Sequence, residues 1–337
     1  MAFSDLIGQD KLKERLVAEA KAPHVASYIL SGPEGFGKKS FAREFAQALL
    51  CENPGDDGAC GTCSCCKYMK EGTLPDILRL EPMESAKQIK AEAVRDVIED
   101  IIVSPQFSSR KVCLVDLDHM SENLQNLLLK PTEDPPKHVI FIMTTSSYPK
   151  VISTLRSRSV NLVLLPYSDA QIAEVLSRKI EGVDSDKISE AVEFSSGNPG
   201  KAISLAQDPL FSDLKDDVMD LILAIPLVSY TNLLTEKLGF FNDNKDRVDD
   251  ILILMVRALE DIMKVKASGP DIKPDIRYEL DLPRIQRFLN QYPQVTASTI
   301  GRSVAAVEEL RSALQVNANY EASCGALLLK IKKEFDK

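Results

Sequence analysis

The segment Gly32-Pro33-Glu34-Gly35-Phe36-Gly37-Lys38-Lys39-Ser40 has the residue types and spacing of a phosphate-binding loop, with one position changed. Such a loop needs a glycine, four residues, a second glycine, a lysine and then a hydroxyl residue. Gly32, Gly37 and Lys38 fit, Gly35 lies between them, and Lys39 takes the place of the hydroxyl. The glycines let backbone N–H groups wrap a phosphate, and the helix that follows turns its positive end toward it. The hydroxyl would ligate Mg²⁺, so its loss handicaps phosphoryl transfer. Ser40 comes one residue late, about 100° further round a helix. The apolar stretch Tyr28-Ile29-Leu30 precedes the loop and a helical pattern follows, which is the context the motif requires. The chain is built like a nucleotide hydrolase and lacks a part that hydrolysis needs. A loop that traps nucleotide without turning it over and a loop that has lost nucleotide both fit these residues.

A nucleotide hydrolase also needs an apolar strand ending in Asp-Glu. Lys111-Val112-Cys113-Leu114-Val115-Asp116 supplies the strand and the aspartate, but the next residue is Leu117. The glutamate that would polarise an attacking water is therefore missing. Asp118 is close in sequence, yet in a strand it would point away from the face of Leu117.

Five of the seven cysteines crowd into one segment. Cys51, Cys60, Cys63 and Cys66 are spaced so that neighbouring thiolates can converge on one ion, and four thiolates in tetrahedral array suit structural Zn²⁺ with no open position. The turn formers Asn53-Pro54-Gly55-Asp56-Asp57-Gly58 and Gly61 let a compact knuckle close. Cys65 competes with Cys66 for the fourth place, and equal spacing favours Cys66. The plain alternative is a set of reduced, unliganded thiols. Cys113 and Cys324 lie in apolar stretches as core residues.

Thr154-Leu155-Arg156-Ser157-Arg158-Ser159 stands just before an apolar run. Two arginines so spaced are ordinarily a solvated turn, but one of them could reach the γ-phosphate of a neighbouring subunit. His24, His119 and His138 show no ligand spacing and are taken as structural or surface residues.

Around these residues the chain must build its supports. Over 337 residues, two or three domains are expected. The short apolar runs Ser27–Leu30, Ile77–Leu80, Val112–Val115, Val139–Met143 and Val160–Leu164 alternate with helical patterns, as in a parallel sheet covered on both faces. The first helix is expected over Gln9–Ala20, and Gly37 opens the next. After Pro166-Tyr167-Ser168-Asp169 the strands stop. Helices are expected over Asp169–Ile180, Lys187–Glu193 and Ala202–Ala206, then over Leu214–Ala224, Tyr230–Leu238, Asp246–Val265 and Leu282–Gln291, with one long helix within Val295–Glu334 and a loop over Ala267–Tyr278. No apolar run approaches the 18 or so residues of a membrane span. The polar, amphipathic N-terminus lacks a signal-peptide core, so a cytoplasmic protein is expected. A net charge of −9 argues against general polyanion binding while leaving room for a local basic patch.

Taken together, these residues resemble the clamp-loader AAA+ family, and within it the delta-prime type of the bacterial DNA polymerase III holoenzyme. The resemblance is carried by Phe3–Gln9, the loop Gly32–Ser40, the four-cysteine insert followed by Pro75-Asp76, and Val115-Asp116. It continues in Asn126–Pro136 (NLLLKPTEDPP), Thr154–Ser159 and Gly197–Ala202, in family order. It implies a RecA-like α/β AAA+ domain over 1–165 with a zinc insert at 51–66, a helical lid over 166–207 and an all-α collar over 208–337. It further implies a subunit that does not hydrolyse ATP itself and offers Arg158 as an arginine finger to an adjacent gamma or tau ATPase. The ring would also include delta, and would place the sliding clamp on primed DNA. Ser159 replaces the family's cysteine, while Ser157 and Arg158 match. Pro131 sits where the family has a helix-compatible residue, so a helix end or kink is expected there. Two other functions compete. One is an active ATPase of gamma or tau type using Ser40 and Asp118 in shifted roles. The other is a zinc-dependent nucleic-acid-binding protein, for which the knuckle offers only Lys67 and Lys70 nearby.

Overall fold

The computed structural model describes residues 2–82, 88–180, 182, 185–268, 282–315 and 318–336. The chain divides into two compact units, Met1–Gln207 and Asp208–Lys337.

The first unit is organised by the apolar runs. They form β1 (Ser27–Ser31), β2 (Ile77–Leu80), β3 (Lys111–Asp116), β4 (Val139–Thr145) and β5 (Val160–Val163). These make one sheet in the order β2-β3-β4-β1-β5, with every pairing parallel. Every residue of β1, β3 and β4 is buried, because helices cover both faces. Alternation sends Tyr28 and Leu30 into one core with Leu16, Phe41 and Phe45, and Ile29 into the other with Leu117, Leu128 and Leu155. Each such side chain taken from water contributes about 1.5–3 kcal/mol. The doubly covered parallel sheet expected from the sequence is the one found.

The helices of this unit are α1 (Asp10–Lys21), α2 (Lys38–Leu50), α3 (Ser64–Glu71), α4 (Ala91–Asp100), α5 (Glu122–Leu127), α6 (Leu129–Glu133), α7 (Ser153–Arg156), α8 (Asp169–Lys179), α9 (Ser185–Phe194) and α10 (Pro199–Gln207). The chain leaves the sheet at Ser168, whose hydroxyl caps α8 by accepting the Gln171 N–H while the Gln171 side chain accepts the Ser168 N–H. The break expected at Pro131 falls instead at Leu128, between α5 and α6. Pro131 is the third residue of α6, in a first turn whose N–H groups have no intrahelical partner, so its missing donor costs little there.

The second unit is helical. Val248–Ala267 packs against Phe211–Ala224 and Ala297–Gln315, and the last of these also packs on Tyr320–Phe335. Its core includes Leu252, Met255, Leu259, Val307, Leu328 and Ile331. The single long helix expected within Val295–Glu334 is two helices, the second capped by Asn319, whose side chain accepts the Ala322 N–H at 2.9 Å. The helix expected over Tyr230–Leu238 contains a π turn at Leu233–Lys237. Most of the loop expected over Ala267–Tyr278 lies outside the described residues. No described helix is long and apolar enough to cross a membrane.

Candidate nucleotide site and cysteine cluster

The loop between β1 and α2 lies at the carboxyl end of the sheet, where parallel α/β folds place their ligands. Gly35 and Gly37 have φ of 83° and 85°, which the turn into α2 requires. Lys38 is the first residue of α2 and is buried. Its ammonium donates to the Gly32 and Pro33 carbonyls at 2.7 and 2.8 Å. Burial lowers its pKa, against the charges of Asp118, Glu34 and Asp116.

The remaining loop carbonyls are held by the chain beyond β5. Asn198 Nδ2 donates to the Glu34 carbonyl at 2.8 Å, the Gly200 N–H to the Gly35 carbonyl at 2.9 Å, and the Tyr167 hydroxyl to the Phe36 carbonyl at 3.3 Å. A Cβ on Gly200 would stand 2.6 Å from Gly35 Cα, so only glycine permits this approach. The loop thus turns its carbonyls into protein. Among the described residues, the N–H groups of Glu34, Gly35, Gly37, Lys38 and Lys39 have no bonded partner. That is the polarity an anion cradle needs.

The metal side of the site is different. Lys39 Nζ lies 2.8 Å from Asp116 Oδ2, and His119 Nδ1 lies 3.0 Å from the same oxygen. Both contacts are close, but neither has hydrogen-bond angles, so Asp116 Oδ2 and His119 Nδ1 carry no directed partner. Burial pushes the Asp116 carboxyl up, but Lys39 and His119 outweigh it and hold the group below the usual carboxylate range. Lys39 itself is raised, first by Asp116. Leu117 is 3% exposed and belongs to the core. Asp118 is already engaged, accepting from the Thr145 hydroxyl at 2.9 Å and from the Ser146 N–H at 2.7 Å, which ties the end of β3 to the end of β4. Ser40 is exposed on α2. These residues do not fit a magnesium ion, because an ammonium stands where the metal would sit.

His119, taken from sequence as structural or surface, stands at the site. Its position three residues after Asp116, across one short helical turn, was the available signal. Tyr167 was not singled out from the sequence. Its role and those of Asn198 and Gly200 depend on tertiary contact that no local pattern encodes.

The cysteine cluster lies in the connection from α2 to β2. Cys51 follows α2, Cys63 precedes α3, and Cys66 is in its first turn. The Sγ atoms of Cys51, Cys60, Cys63 and Cys66 all lie within 4.8 Å of one another. Cys51 and Cys63 sulfurs are 3.9 Å apart, and those of Cys60 and Cys66 are 4.0 Å apart. A tetrahedron with Zn–S bonds of about 2.3 Å has edges of about 3.8 Å, so the four sulfurs fit zinc. The Cys60 and Cys63 N–H groups donate to the sulfurs of Cys51 and Cys60 at 3.2 and 3.4 Å. The Cys60 thiol is drawn down to about 6, first by the Thr62 N–H, whereas burial pushes Cys51 and Cys66 up. A divalent cation would reverse those burial costs. Cys65 is turned away, with its thiol donating to the Phe107 carbonyl at 3.5 Å.

The knuckle is fastened to the sheet domain. Lys21 pairs with Asp56, and the Ser4 N–H donates to Asp57 at 2.7 Å. The Phe3 ring covers Gly58, where a Cβ would approach to 2.7 Å.

Arg158 stands at the other end of β5. Val160 pairs with Tyr28, and the Leu164 N–H bonds the Ser31 carbonyl next to the loop. The rise from Val160 to Leu164 is about 13 Å, and Arg158 lies beyond it. Its guanidinium donates to Glu133 Oε1 at 3.0 Å and to the Thr154 carbonyl at 2.9 Å. Arg156 instead lies over the Tyr148 ring, 5.4 Å from its centroid.

Residues 8–168 match the family described as DNA polymerase III, delta subunit. A DNA polymerase III subunit delta' of Pseudomonas aeruginosa is 34% identical over 181 residues, covering 53% of this chain and 55% of that one. The resemblance to DNA polymerase III clamp-loader subunits holds. The chain spans about half the length of the delta' relatives it matches. A DNA polymerase III subunit gamma of Buchnera aphidicola (Schizaphis graminum) is 27% identical over 99% of this chain and 90% of that one. A structure of a DNA polymerase III gamma subunit-related protein from Thermotoga maritima is 16% identical, covers 96% of this chain and 99% of that chain, and has a TM-score of 0.43. The segment matched to the delta family contains the phosphate loop, the cysteine cluster, Asp116 and Arg158.

Proposed function

We propose that this chain is a non-hydrolysing clamp-loader subunit of delta-prime type. It would help load the sliding clamp on primed DNA within a ring of gamma or tau ATPase and delta subunits. The observation that carries this reading is the ion pair between Lys39 and Asp116. The position of the metal-binding hydroxyl and the strand-end aspartate are both present, and they are spent on each other. Leu117 in the core supplies no water-polarising carboxylate. Asp118, the substitute that an active ATPase would need, is held by Thr145 and Ser146.

In this reading residues 166–207 form the lid and 208–337 the collar. Cys51, Cys60, Cys63 and Cys66 hold one structural Zn²⁺ that staples the insert and leaves no position for substrate. Arg158 acts in trans. Its distance from this chain's own loop supports that direction, since a finger must reach a phosphate in another subunit.

Reconstitution with the ATPase, delta and clamp tests the reading. The chain alone turns over no ATP, and Lys39→Thr alone creates no turnover. Arg158→Ala leaves the subunit in the complex yet lowers ATP turnover by the assembly. A finger is worth about 10³–10⁵ at one site, with a smaller drop for a ring of several sites. Arg156→Ala is the control. Equal losses from both variants, or none from Arg158→Ala, would reduce the arginine to a structural part.

A further inference from the structure

The loop keeps what grips an anion and has replaced what grips a metal. Its free N–H groups and the dipole of α2 face the place of a phosphate, with the Lys38 ammonium beside them on the Gly32 and Pro33 carbonyls. Next to them Asp116 Oδ2 is a buried acceptor without a directed hydrogen bond, and the charge standing on it is Lys39 at 2.8 Å. In magnesium-dependent loops the ion bridges the phosphate oxygens and neutralises them. A divalent ion placed here would face an ammonium at contact distance. The Lys39 side chain is 59% exposed, so it can also reach a ligand, leaving His119 on Asp116. It opens onto a small cleft bounded by α2 and by β2, β3 and β4, whose polar lining includes Arg43, Arg79, Glu81 and Thr144. Arg43 and Arg79 are exposed there. The cationic groups at the cleft therefore outnumber the anionic ones, without any metal.

We infer that Lys39 is a tethered replacement for the divalent cation, and that the loop is a metal-independent site for a polyphosphate tail, such as that of a nucleoside triphosphate. Lys38 and the loop N–H groups hold one phosphate, and Lys39 neutralises its neighbour while remaining close to Asp116. No bond is made or broken, so the anion is retained unchanged. This goes beyond the role proposed above and does not depend on Arg158.

Calorimetric titration of the full chain with ATP, in magnesium and in EDTA, tests it. The affinity is expected to agree within about threefold between the two conditions, under 1 kcal/mol. Inorganic tripolyphosphate should bind in EDTA and compete with ATP. Lys39→Thr should weaken binding in EDTA by about tenfold and make magnesium improve it. Lys39→Gln, which keeps the length of the stem, should show the same loss if the charge is what matters. No ATP binding by the wild type overturns the inference, as does ATP binding without competition from tripolyphosphate. Binding that requires magnesium but yields no hydrolysis overturns this inference alone. Magnesium-dependent hydrolysis overturns it together with the proposed function.

Discussion

The cysteine cluster and the phosphate loop are both motifs of ligand-binding residues at fixed spacing, and they have met different fates. In the cluster four sulfurs converge to distances that fit a tetrahedral ion. In the loop the backbone cradle is kept, but each residue that would serve the metal or the attacking water has another occupation. Lys39 neutralises Asp116, Asp118 ties two strand ends, and Leu117 fills the core. A catalytic site can lose its chemistry while its scaffold persists, because the sheet needs the strand and the turn but not the reaction.

The largest effect that would break this comparison is on zinc. Apparent binding free energies of structural zinc sites are on the order of 10–16 kcal/mol, and in such sites metal binding is coupled to folding. Cys66→Ser should drop the bound zinc well below one equivalent per chain and loosen residues 51–70. Cys65→Ser should leave the zinc in place, since its thiol faces Phe107. Elemental analysis with hydrogen exchange reads both. The sheet has its own two cores, and the knuckle is fastened at Phe3, Ser4 and Lys21, so the opening should stay local. Zinc retained in Cys66→Ser and lost in Cys65→Ser would reverse the ligand assignment.

How much of this was legible beforehand depended on how local each cause was. The three central strands were visible because a doubly covered parallel strand is apolar along nearly its whole length, and the edge strands β2 and β5 as short runs broken only by Arg79 and Asn161. Equal spacing favoured Cys66 over Cys65 without deciding between them. The start of α3 separates the two: Cys63 and Cys66 are three apart on one side of the first turn, and Cys65 is rotated about 100° toward the core. The changed letter at Lys39 was plain, but its partner was not. The pairing needs the end of β3 to lie beside the start of α2, which only the strand order supplies. The split in the last helical stretch was missed because Asn319 was not weighed as a cap. Pro131 was overweighted, because a proline breaks a helix interior and not its first turn.

The middle effect concerns Leu117. Restoring the catalytic carboxylate by Leu117→Glu would put an unpaired charge into the core, a loss on the order of 3 kcal/mol. Leu117→Met, which conserves volume, should cost under about 1.5 kcal/mol. Chemical denaturation compares the two. If Leu117→Glu were as stable as the wild type, the side chain would have access to the cleft. The site would then be one substitution nearer to catalysis than the contrast with the cysteine cluster implies.

The smallest effect is the most specific to the altered loop. Lys39→Met removes the ammonium from a buried carboxylate that keeps His119 and the Asp118 N–H beside it, so a loss of about 1 kcal/mol at neutral pH is expected. The sign with pH follows from Asp116, whose carboxyl is held below the usual range by Lys39 and His119 against its burial. A carboxyl depressed in the folded state stabilises it above the unfolded value, about 3.9, and loses that contribution as pH falls through the folded value. Without Lys39, burial is less opposed and Asp116 takes up its proton at higher pH. The wild type should therefore melt above Lys39→Met at neutral pH, and the two melting temperatures should converge on acidification as the wild-type carboxylate is protonated. A gap that stays constant to the acid limit would mean that Lys39 stabilises the loop by its stem and not by its charge on Asp116. The loop would then be a worn-down version of its relatives, with no replacement for the metal built into it.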